Sequence, residues 1–233
     1  MEAQIAVAKL RKYATPESGD TLEMIERPGG GLSVVMADGQ RSGKSAKAIS
    51  NVVCRKALSL LAEGVRDGAA ARAASDYLYT YRGGKVLATL NILSIDMASQ
   101  TMVITRNNPA PVVLVENGTP ILLDEPANPV GPRRGIRPSI REVPLSIGLA
   151  VVMFTDGLSI AGDRCGKRMD VMASVDQLLS QGDPQPRLWA DSLLDQAVAL
   201  DEGRPADDIS VLVGAILPRQ DDAVRRMSVS MPF

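Results

Sequence analysis

Aspartates at the ends of apolar segments are the residues of this chain whose placement suggests chemistry. Asp38 and Asp156 each close an apolar, β-rich run and precede a glycine, in "VVMADG" and "VVMFTDG". Asp20 and Asp207 stand just before such runs. Because aspartate is depleted in strands, its recurrence at strand ends requires an explanation.

These aspartates have two interpretations. Asp-Gly is a common turn dipeptide and aspartate caps helices, so each one taken alone fits a structural role. If the strand ends converge, however, several carboxylates share one cleft and repel each other unless a cation neutralises them. Oxygen ligands without histidine or cysteine favour Mg²⁺ or Mn²⁺.

Two such ions, held about 4 Å apart, can share and acidify a water that attacks phosphorus in line. Gly39 follows Asp38, and a glycine lets a backbone carbonyl approach a metal without a side-chain clash. The converging interpretation therefore predicts a hydrolase that acts on a phosphate ester.

Composition excludes several other classes. The chain has no histidine, which excludes Ser-His-Asp and Cys-His centres and histidine-ligated zinc. A net charge of -1 and 3% aromatic residues argue against a nucleic-acid partner. No segment approaches the roughly 20 apolar residues of a membrane helix, and the N-terminus lacks a signal-peptide core. We therefore expect a cytoplasmic protein without a membrane partner.

The hydrophobic pattern predicts pairs of strands interleaved with pairs of helices. Helices are predicted over a segment that follows "SGKS" and over 69–81, 171–180 and 187–201. Strands are predicted over 21–27, 32–38, 85–96, 101–107, 111–117, 120–125, 149–156 and 208–217, and in "SIREVPLS". The strands between 85 and 125 are expected to form an antiparallel meander.

This order of elements predicts an α+β fold in which two antiparallel sheets pack together and helices flank them, a four-layer α-β-β-α sandwich. Residues 2–12 have a weakly helical pattern that "TPESGD" interrupts, and residues 1–17 are predicted to form an N-terminal helical segment. Residues 18–218 would form one domain, and residues 219–233 a polar C-terminal tail.

Three segments resemble the metal-binding motifs of the PP2C (PPM) phosphatases, in the bacterial SpoIIE/RsbU/RsbX-like branch. They are "VVMADGQRSGKSAKAIS", "AVVMFTDGLSIA" and "RPADDISVLVGAI", and they occur in the family's order. "ESGDTLEM" is similar to the Gly-Gly-Asp motif of that branch, and "RNNPAPVVLV" to its Ala-Gly-His-Asn-Pro-Pro turn. The similarity runs from about Ser18 to Leu217.

The resemblance implies a metal-dependent protein serine/threonine phosphatase with two Mn²⁺ or Mg²⁺ ions. Asp38 would bridge both ions, and the Gly39 carbonyl would bind one of them. Asp156 and Asp207 would bind the first ion, and Asp20 would serve the second. Asp38, Asp156 and Asp207 would thus be catalytic through the activated water. The implied partner is a phosphorylated regulatory protein of the anti-anti-sigma (STAS) type.

Departures from the family pattern leave alternatives open. Gln40 stands where the eukaryotic enzymes have a histidine, and it cannot act as an acid. A pseudophosphatase or binding module with the same fold is therefore a second hypothesis. "DGQRSGKS" also approaches a P-loop, but Asp38 occupies the place of its first glycine, which disfavours nucleotide binding.

Basic residues near these motifs are candidates for substrate binding. Lys44 and Arg41 follow the Asp38 motif and could attract an anionic substrate. Arg133, Arg134 and Arg137 lie in a loop bounded by proline and glycine. Most such runs are solvated surface, and this loop is the best candidate for contact with an acidic or phosphorylated protein.

Overall fold

The structure, a computed structural model, describes residues 1–219 and 223–231. This part of the chain contains ten β-strands and five α-helices. The strands are β1 (Glu2–Leu10), β2 (Asp20–Glu26), β3 (Gly31–Gly39), β4 (Ala88–Asp96), β5 (Thr101–Asn107), β6 (Val112–Glu116), β7 (Thr119–Leu123), β8 (Ser139–Pro144), β9 (Ala150–Phe154) and β10 (Ile209–Leu217). The helices are α1 (Gly43–Ala62), α2 (Asp67–Arg82), α3 (Asp156–Ser159), α4 (Val171–Ser180) and α5 (Pro186–Leu200).

The predicted C-terminal tail is described only in part. Residues 220–222 and 232–233, which belong to the predicted tail of 219–233, lie outside the described residues. Residues 223–231 form neither helix nor strand, and their side chains are exposed.

The strands form two five-stranded sheets, and neighbouring strands pair antiparallel. Sheet A has the order β1-β10-β9-β6-β7, and sheet B has the order β2-β3-β4-β5-β8. The strands predicted over 21–27 and 32–38 are confirmed as β2 and β3, and they form a hairpin in which Asp20–Glu26 pairs with Leu32–Asp38.

Three hydrophobic clusters define the layers. The first lies between the sheets, where Val34 and Leu93 of sheet B meet Leu114 and Val151 of sheet A. The second joins the outer face of sheet B to α1 and α2, and the third joins the outer face of sheet A to α4 and α5. The predicted α-β-β-α sandwich of two antiparallel sheets is therefore confirmed.

Helix α1 shows why periodicity predicted the helices well. Its buried side chains include Ala46, Ile49, Val53, Ala57 and Leu61, which recur every three or four residues and so share one face of the helix. The helices predicted over 171–180 and 187–201 are likewise present as α4 and α5. In the described part of the chain, no helix combines the length and apolarity that a bilayer crossing requires.

The predicted meander is wrong in its second half. Strands β4 and β5 belong to sheet B, whereas β6 and β7 belong to sheet A. The chain passes between the sheets in the segment that contains Pro109 and Pro111. Because proline has no backbone N–H to donate to a ladder, this segment ends the pairing and lets the chain change sheets.

The prediction of a helical N-terminal segment is also wrong. Residues Glu2–Leu10 form β1, which pairs with β10 over nine register positions from Glu2↔Leu217 to Leu10↔Ile209. The alanine-rich pattern resembles a helix locally, but β10 presents an open edge whose backbone groups need partners. The tertiary context therefore overrides the local propensity, and β1 belongs to sheet A.

The nucleotide-binding alternative loses its structural support. A P-loop connects a strand to a helix within a βαβ unit, whose strands are parallel. The loop between β3 and α1 has the strand and the helix, but β3 pairs antiparallel with both β2 and β4. The phosphate-binding context is therefore absent from this described segment.

The pairing of β1 predicts different outcomes for two adjacent substitutions. Ala8 is 7% exposed and packs into the cluster beneath α5, whereas Val7 is 41% exposed. We expect Ala8→Asp to lower the free energy of unfolding by about 2–4 kcal/mol, because it buries an unpaired carboxylate. Val7→Asp serves as the control and should cost about 1 kcal/mol or less. Urea unfolding measures both, and equal losses would argue against the described orientation of β1.

Candidate active site

The β2–β3 hairpin sets two acidic residues side by side. Its register places Asp20 directly opposite Asp38, and Asp38 is also opposite Thr89 on β4. Opposed residues of antiparallel strands point to the same face with Cβ atoms about 4.5–5.5 Å apart, so like charges there repel. Two predicted site residues, distant by 18 positions in sequence, are thus neighbours.

A cleft of about 400 Å³ opens where the ends of both sheets meet. Asp38, Asp156 and Asp207 all line this cleft. They come from the end of β3, the start of α3 and the residue preceding Asp208 at the entry to β10. Sheet B supplies one of these carboxylates and sheet A supplies the segments that carry the other two, so the cleft depends on the packing of the two sheets.

These carboxylates repel one another, and burial together with this repulsion raises the pKa values of Asp38 and Asp156. Burial raises the pKa of Asp38 to about 9, and the carboxylates of Asp20, Asp156 and Asp207 contribute to the rise. Partial burial and the neighbouring Asp207 carboxylate also raise the pKa of Asp156. A cleft that holds this much negative charge favours either protons or a cation.

Asp20 lies behind the cleft rather than in its lining. Its side chain is fully buried, and its Oδ2 accepts hydrogen bonds from Ser210 Oγ at 2.6 Å and Thr155 Oγ1 at 3.1 Å. Its Oδ1 is buried without a hydrogen-bond partner. Burial raises the pKa of Asp20, while the Ser210 hydrogen bond opposes that rise. The unpaired oxygen marks a place where a proton or a cation would be stabilised.

Two lysines hold the backbone of Asp20. Lys9 Nζ on β1 and Lys47 Nζ on α1 each donate a hydrogen bond to the Asp20 carbonyl oxygen at 2.6 Å. They connect sheet A and α1 to the first residue of β2. The lysine charges also reduce the local excess of negative charge.

The adjacent acids Asp207 and Asp208 have different roles. Asp208 is buried, and its carboxylate accepts hydrogen bonds from the backbone N–H groups of Lys12 at 2.9 Å and Gly19 at 2.8 Å. Asp207 lines the cleft instead, with Lys12 Nζ 3.9 Å from its Oδ1. Asp208 therefore stabilises the loop before Asp20, and Asp207 is the member of the pair that faces the cleft.

The glycines after Asp38 and Asp156 are required by close packing. A Cβ atom on Gly39 would collide with the carbonyl oxygen of Ala46 in α1, and one on Gly157 would collide with the carbonyl of Asp208. Each glycine therefore lets a second element approach the strand end that carries the catalytic candidate. This reason stands beside the expected role of the Gly39 carbonyl as a metal ligand.

Of the residues that follow Gly39, Gln40 makes a structural contact and Arg41 lines the cleft. The Gln40 side-chain Oε1 accepts a hydrogen bond from the Leu87 N–H at 3.3 Å, so this side chain helps to join β3 to the start of β4. Arg41 lines the cleft and has φ +78°, a strained conformation for a residue with a side chain. Lys44, the other predicted substrate-binding residue, is exposed in the first turn of α1 and lies outside the cleft lining.

Sequence reasoning missed two residues of the cleft wall, Lys12 and Asn108. Asn108 Nδ2 donates to the Phe154 carbonyl at 3.3 Å, and its Oδ1 accepts from the Ala110 N–H at 2.9 Å. Buried Arg106 donates to the carbonyls of Asn108 and Ala110 from behind. The "RNNPAP" segment was a signal for this wall, whereas a single lysine after β1 had no pattern to reveal it.

The donor set fits a hard divalent cation. Among the described residues, no group of three or more acidic or cysteine side chains is already arranged to hold a metal ion. Mg²⁺, however, commonly keeps several waters and uses only one or two protein carboxylates. The cleft offers the carboxylates of Asp38, Asp156 and Asp207, and Asp20 holds a buried unpaired oxygen behind them. Oxygen donors of this kind fit Mg²⁺ or Mn²⁺, with water completing the coordination.

Comparison with known proteins gives one family match and several matches of fold. A family model described as stage II sporulation protein E (SpoIIE) matches residues 28–216. No curated protein sequence matches the chain. Solved structures match it at low identity, which establishes a shared fold.

Three solved structures illustrate the match. The PP2C phosphatase domain with a regulatory-domain fragment of SpoIIE from Bacillus subtilis has a TM-score of 0.78 and 19% identity, over 93% of this chain and 64% of that one. RsbX in complex with magnesium has a TM-score of 0.69 and 15% identity, over 91% and 94% of the two chains. The catalytic domain of the serine/threonine phosphatase PstP with two manganese ions has a TM-score of 0.67 and 16% identity, over 93% and 99%.

The crowding of carboxylates predicts a gain in stability from Asp38→Asn without metal. Asp38 has a higher pKa in the folded protein than the value of about 3.9 expected when unfolded, so the folded state binds more protons between these values. The free energy of unfolding should therefore fall as pH rises from about 4 towards 9, and the asparagine variant should lose this component. At pH 8 we expect the variant to be more stable by about 1–2 kcal/mol.

Urea unfolding in EDTA at pH 5, 6.5 and 8 measures this difference. Asp195→Asn, at an exposed position on α5, is the control and should leave the pH profile unchanged. Parallel profiles for the wild type and Asp38→Asn would contradict the repulsion described here.

Proposed function

The chain belongs to the SpoIIE family, whose fold is that of the PP2C phosphatases, and we propose that it is a metal-dependent protein serine/threonine phosphatase. One observation supports this proposal above the others. Asp38, Asp156 and Asp207, which belong to three separate motifs, line one cleft, and Asp20 faces Asp38 from the paired strand.

The proposed residue roles follow from position. Asp38, Asp156 and Asp207 would hold divalent cations, with the Gly39 carbonyl as a further donor. When bound, such a cation lowers the pKa of water and neutralises charge on phosphoryl oxygens. Asp20, held by Ser210 and Thr155, maintains the negative potential behind Asp38.

We extend the proposal to two ions, Mn²⁺ or Mg²⁺. The support is the number of separate oxygen donors around Asp38, together with the two manganese ions of PstP. The buried, unpaired Oδ1 of Asp20 supports a cation on its side of Asp38, and Asp156 with Asp207 supports one on the other side.

The proposed substrate is phosphoserine or phosphothreonine on a regulatory protein of the STAS type. The cleft can accommodate an anionic phosphomonoester because Arg41 and Lys12 line its wall and carry positive charge. Gln40 cannot act as an acid and so cannot protonate the leaving serine. We therefore expect that solvent supplies this proton. The STAS assignment rests on the family resemblance alone.

A pseudophosphatase remains the second candidate because of two observations. Gln40, which stands where the eukaryotic enzymes have a histidine, has its side chain engaged with Leu87, and Asp20, in the altered Ser18-Gly19-Asp20 motif, is fully buried. Such a protein would bind a phosphoprotein in the cleft without turnover.

Turnover of p-nitrophenyl phosphate with Mn²⁺ tests the enzyme proposal. We expect activity in the wild type, loss of it in EDTA, and a fall in kcat of about 100-fold or more in Asp38→Ala, because several kcal/mol of charge stabilisation are removed. A thermal shift on adding Mn²⁺ should accompany activity in the wild type and be smaller in Asp38→Ala.

Asp195→Ala is the matched control, since it removes one exposed carboxylate from α5, and it should retain wild-type kcat. A wild-type protein that Mn²⁺ stabilises but that shows no turnover on phosphopeptides or p-nitrophenyl phosphate would favour the pseudophosphatase. Equal activity in wild type and Asp38→Ala would contradict the assignment of the site.

A further inference from the structure

We propose that a basic surface beside the cleft binds acidic residues that flank the phosphorylated residue of the protein substrate. This surface, the basic rim, consists of Arg82, Lys85, Arg133 and Arg134. The inference rests on the proposed function, because it assigns a substrate class to the same cleft. It adds a site of selectivity that is separate from the carboxylates.

The loop that carries two of these arginines is fixed in place. Val130 and Ala88 form an antiparallel bridge, with hydrogen bonds of 2.9 and 3.0 Å between their backbones. The Gly131 N–H then donates to Ser75 Oγ at 3.0 Å, and the Gly135 N–H donates to Asp76 Oδ1 at 3.1 Å. Hydrogen bonds at both ends of the turn thus hold it against α2.

The same contacts bring cations from two segments together. Pro132 lies against Gly84, since a Cβ atom on that glycine would be 3.2 Å from the Pro132 carbonyl oxygen. Arg134 donates to Thr80 Oγ1 at 3.1 Å, and its guanidinium lies 5.2 Å from the centre of the Tyr79 ring. Arg133 and Arg134 are therefore next to the end of α2, where Arg82 and Lys85 flank the two glycines Gly83 and Gly84.

The rim is open to solvent and carries an excess of positive charge. All four of its side chains are exposed. Asp76 is an acidic residue beside the turn, and its carboxylate already accepts a hydrogen bond from the Gly135 N–H. The Arg82 guanidinium is 4.9 Å from the centre of the Tyr81 ring, which supports its orientation without neutralising its charge. Four cations and one engaged carboxylate favour an acidic partner.

The rim continues directly from the cleft. Leu87 and Pro129 line the cleft, and each lies a few residues from the rim along its own segment. At no more than about 3.6 Å per residue, the Cα atom of Arg133 is at most about 14 Å from that of Pro129. An extended substrate covers the same distance in about four residues. We therefore infer that acidic side chains three to five positions from the phosphorylated residue meet the rim.

Physical chemistry makes such a rim useful at this site. The floor of the cleft is acidic, so an acidic substrate gains no attraction from it until cations are bound. Positive charge at the rim steers an acidic segment and fixes its register, which contributes more to selectivity than to affinity. Exposed charges are screened within about 8 Å at physiological ionic strength, so the preference should weaken in salt.

Charge reversal at Lys85 and Arg133 tests the proposal. The assay compares two phosphoserine peptides of equal length, with three glutamates or three lysines placed three to five residues from the phosphoserine. We expect the wild type to prefer the acidic peptide by about tenfold in kcat/KM, as charge complementarity predicts. The Lys85→Glu/Arg133→Glu variant should lose this preference but retain kcat/KM for p-nitrophenyl phosphate within about twofold, because that substrate has no flanking residues.

Arg72→Glu/Arg137→Glu is the matched control. It makes the same change in net charge at exposed positions on α2 and on the same loop. Arg137 was predicted to contact the substrate together with Arg133 and Arg134, but the structure separates it from the rim: the adjacent Pro138 approaches Gly68, at the other end of α2. This control should keep the preference for the acidic peptide. Equal effects of both double variants would show a general field effect and overturn the assignment of the rim.

A binding measurement keeps the rim testable if turnover fails. Fluorescence anisotropy of the labelled, unphosphorylated glutamate peptide should show weaker binding to Lys85→Glu/Arg133→Glu than to the wild type, with an apparent Kd raised by about tenfold at low salt. Absence of all turnover in the wild type, with this difference intact, would reject the phosphatase and retain the rim. Equal Kd values in both proteins would reject the rim whatever the activity.

Discussion

Repulsion between carboxylates is the constraint on which the site depends. The carboxylates of Asp20, Asp156 and Asp207 repel the Asp38 carboxylate, and burial adds a desolvation cost to its charged form. Such an arrangement persists only if rigid elements hold the carboxylates together. Here the hairpin register holds one pair, and the packing of sheet A against sheet B brings the others to the same cleft. This repulsion is the physical basis of the cation binding proposed for the cleft.

The supporting contacts come from residues that do not line the cleft. Asp208 fixes the backbone of Lys12 and Gly19, and two lysines hold the Asp20 carbonyl. The N-terminal strand is therefore part of the site, because its end supplies groups to both networks. If this segment were a separate helix, Lys9 and the backbone of Lys12 would not be held beside Asp20 and Asp208. Its pairing with β10 gives the strand ends at the cleft a common framework.

Negative and positive charges lie in separate regions near the candidate site. Carboxylates occupy the cleft, while the arginines and the lysine of the basic rim surround the turn that follows α2. The two regions are connected by the bridge between Ala88 and Val130, which holds the rim at a fixed distance from the cleft wall. If both proposals hold, such a division would let cations in the cleft bind the phosphoryl group while a separate surface selects the protein that carries it. Chemistry and selectivity can then change independently.

Local pattern determined most elements of this protein. The sequence alone predicted α1 from the spacing of its apolar residues, and it revealed the aspartates that end strands. The order of the motifs indicated the fold and the acids of the candidate site. The tertiary structure alone decided that residues 2–10 form a strand, that Asp20 is buried, and that Lys12 reaches the cleft. The reason is distance along the chain: the Gly19 to Asp208 hydrogen bond spans 189 residues, and periodicity over a few residues contains no information about such a partner.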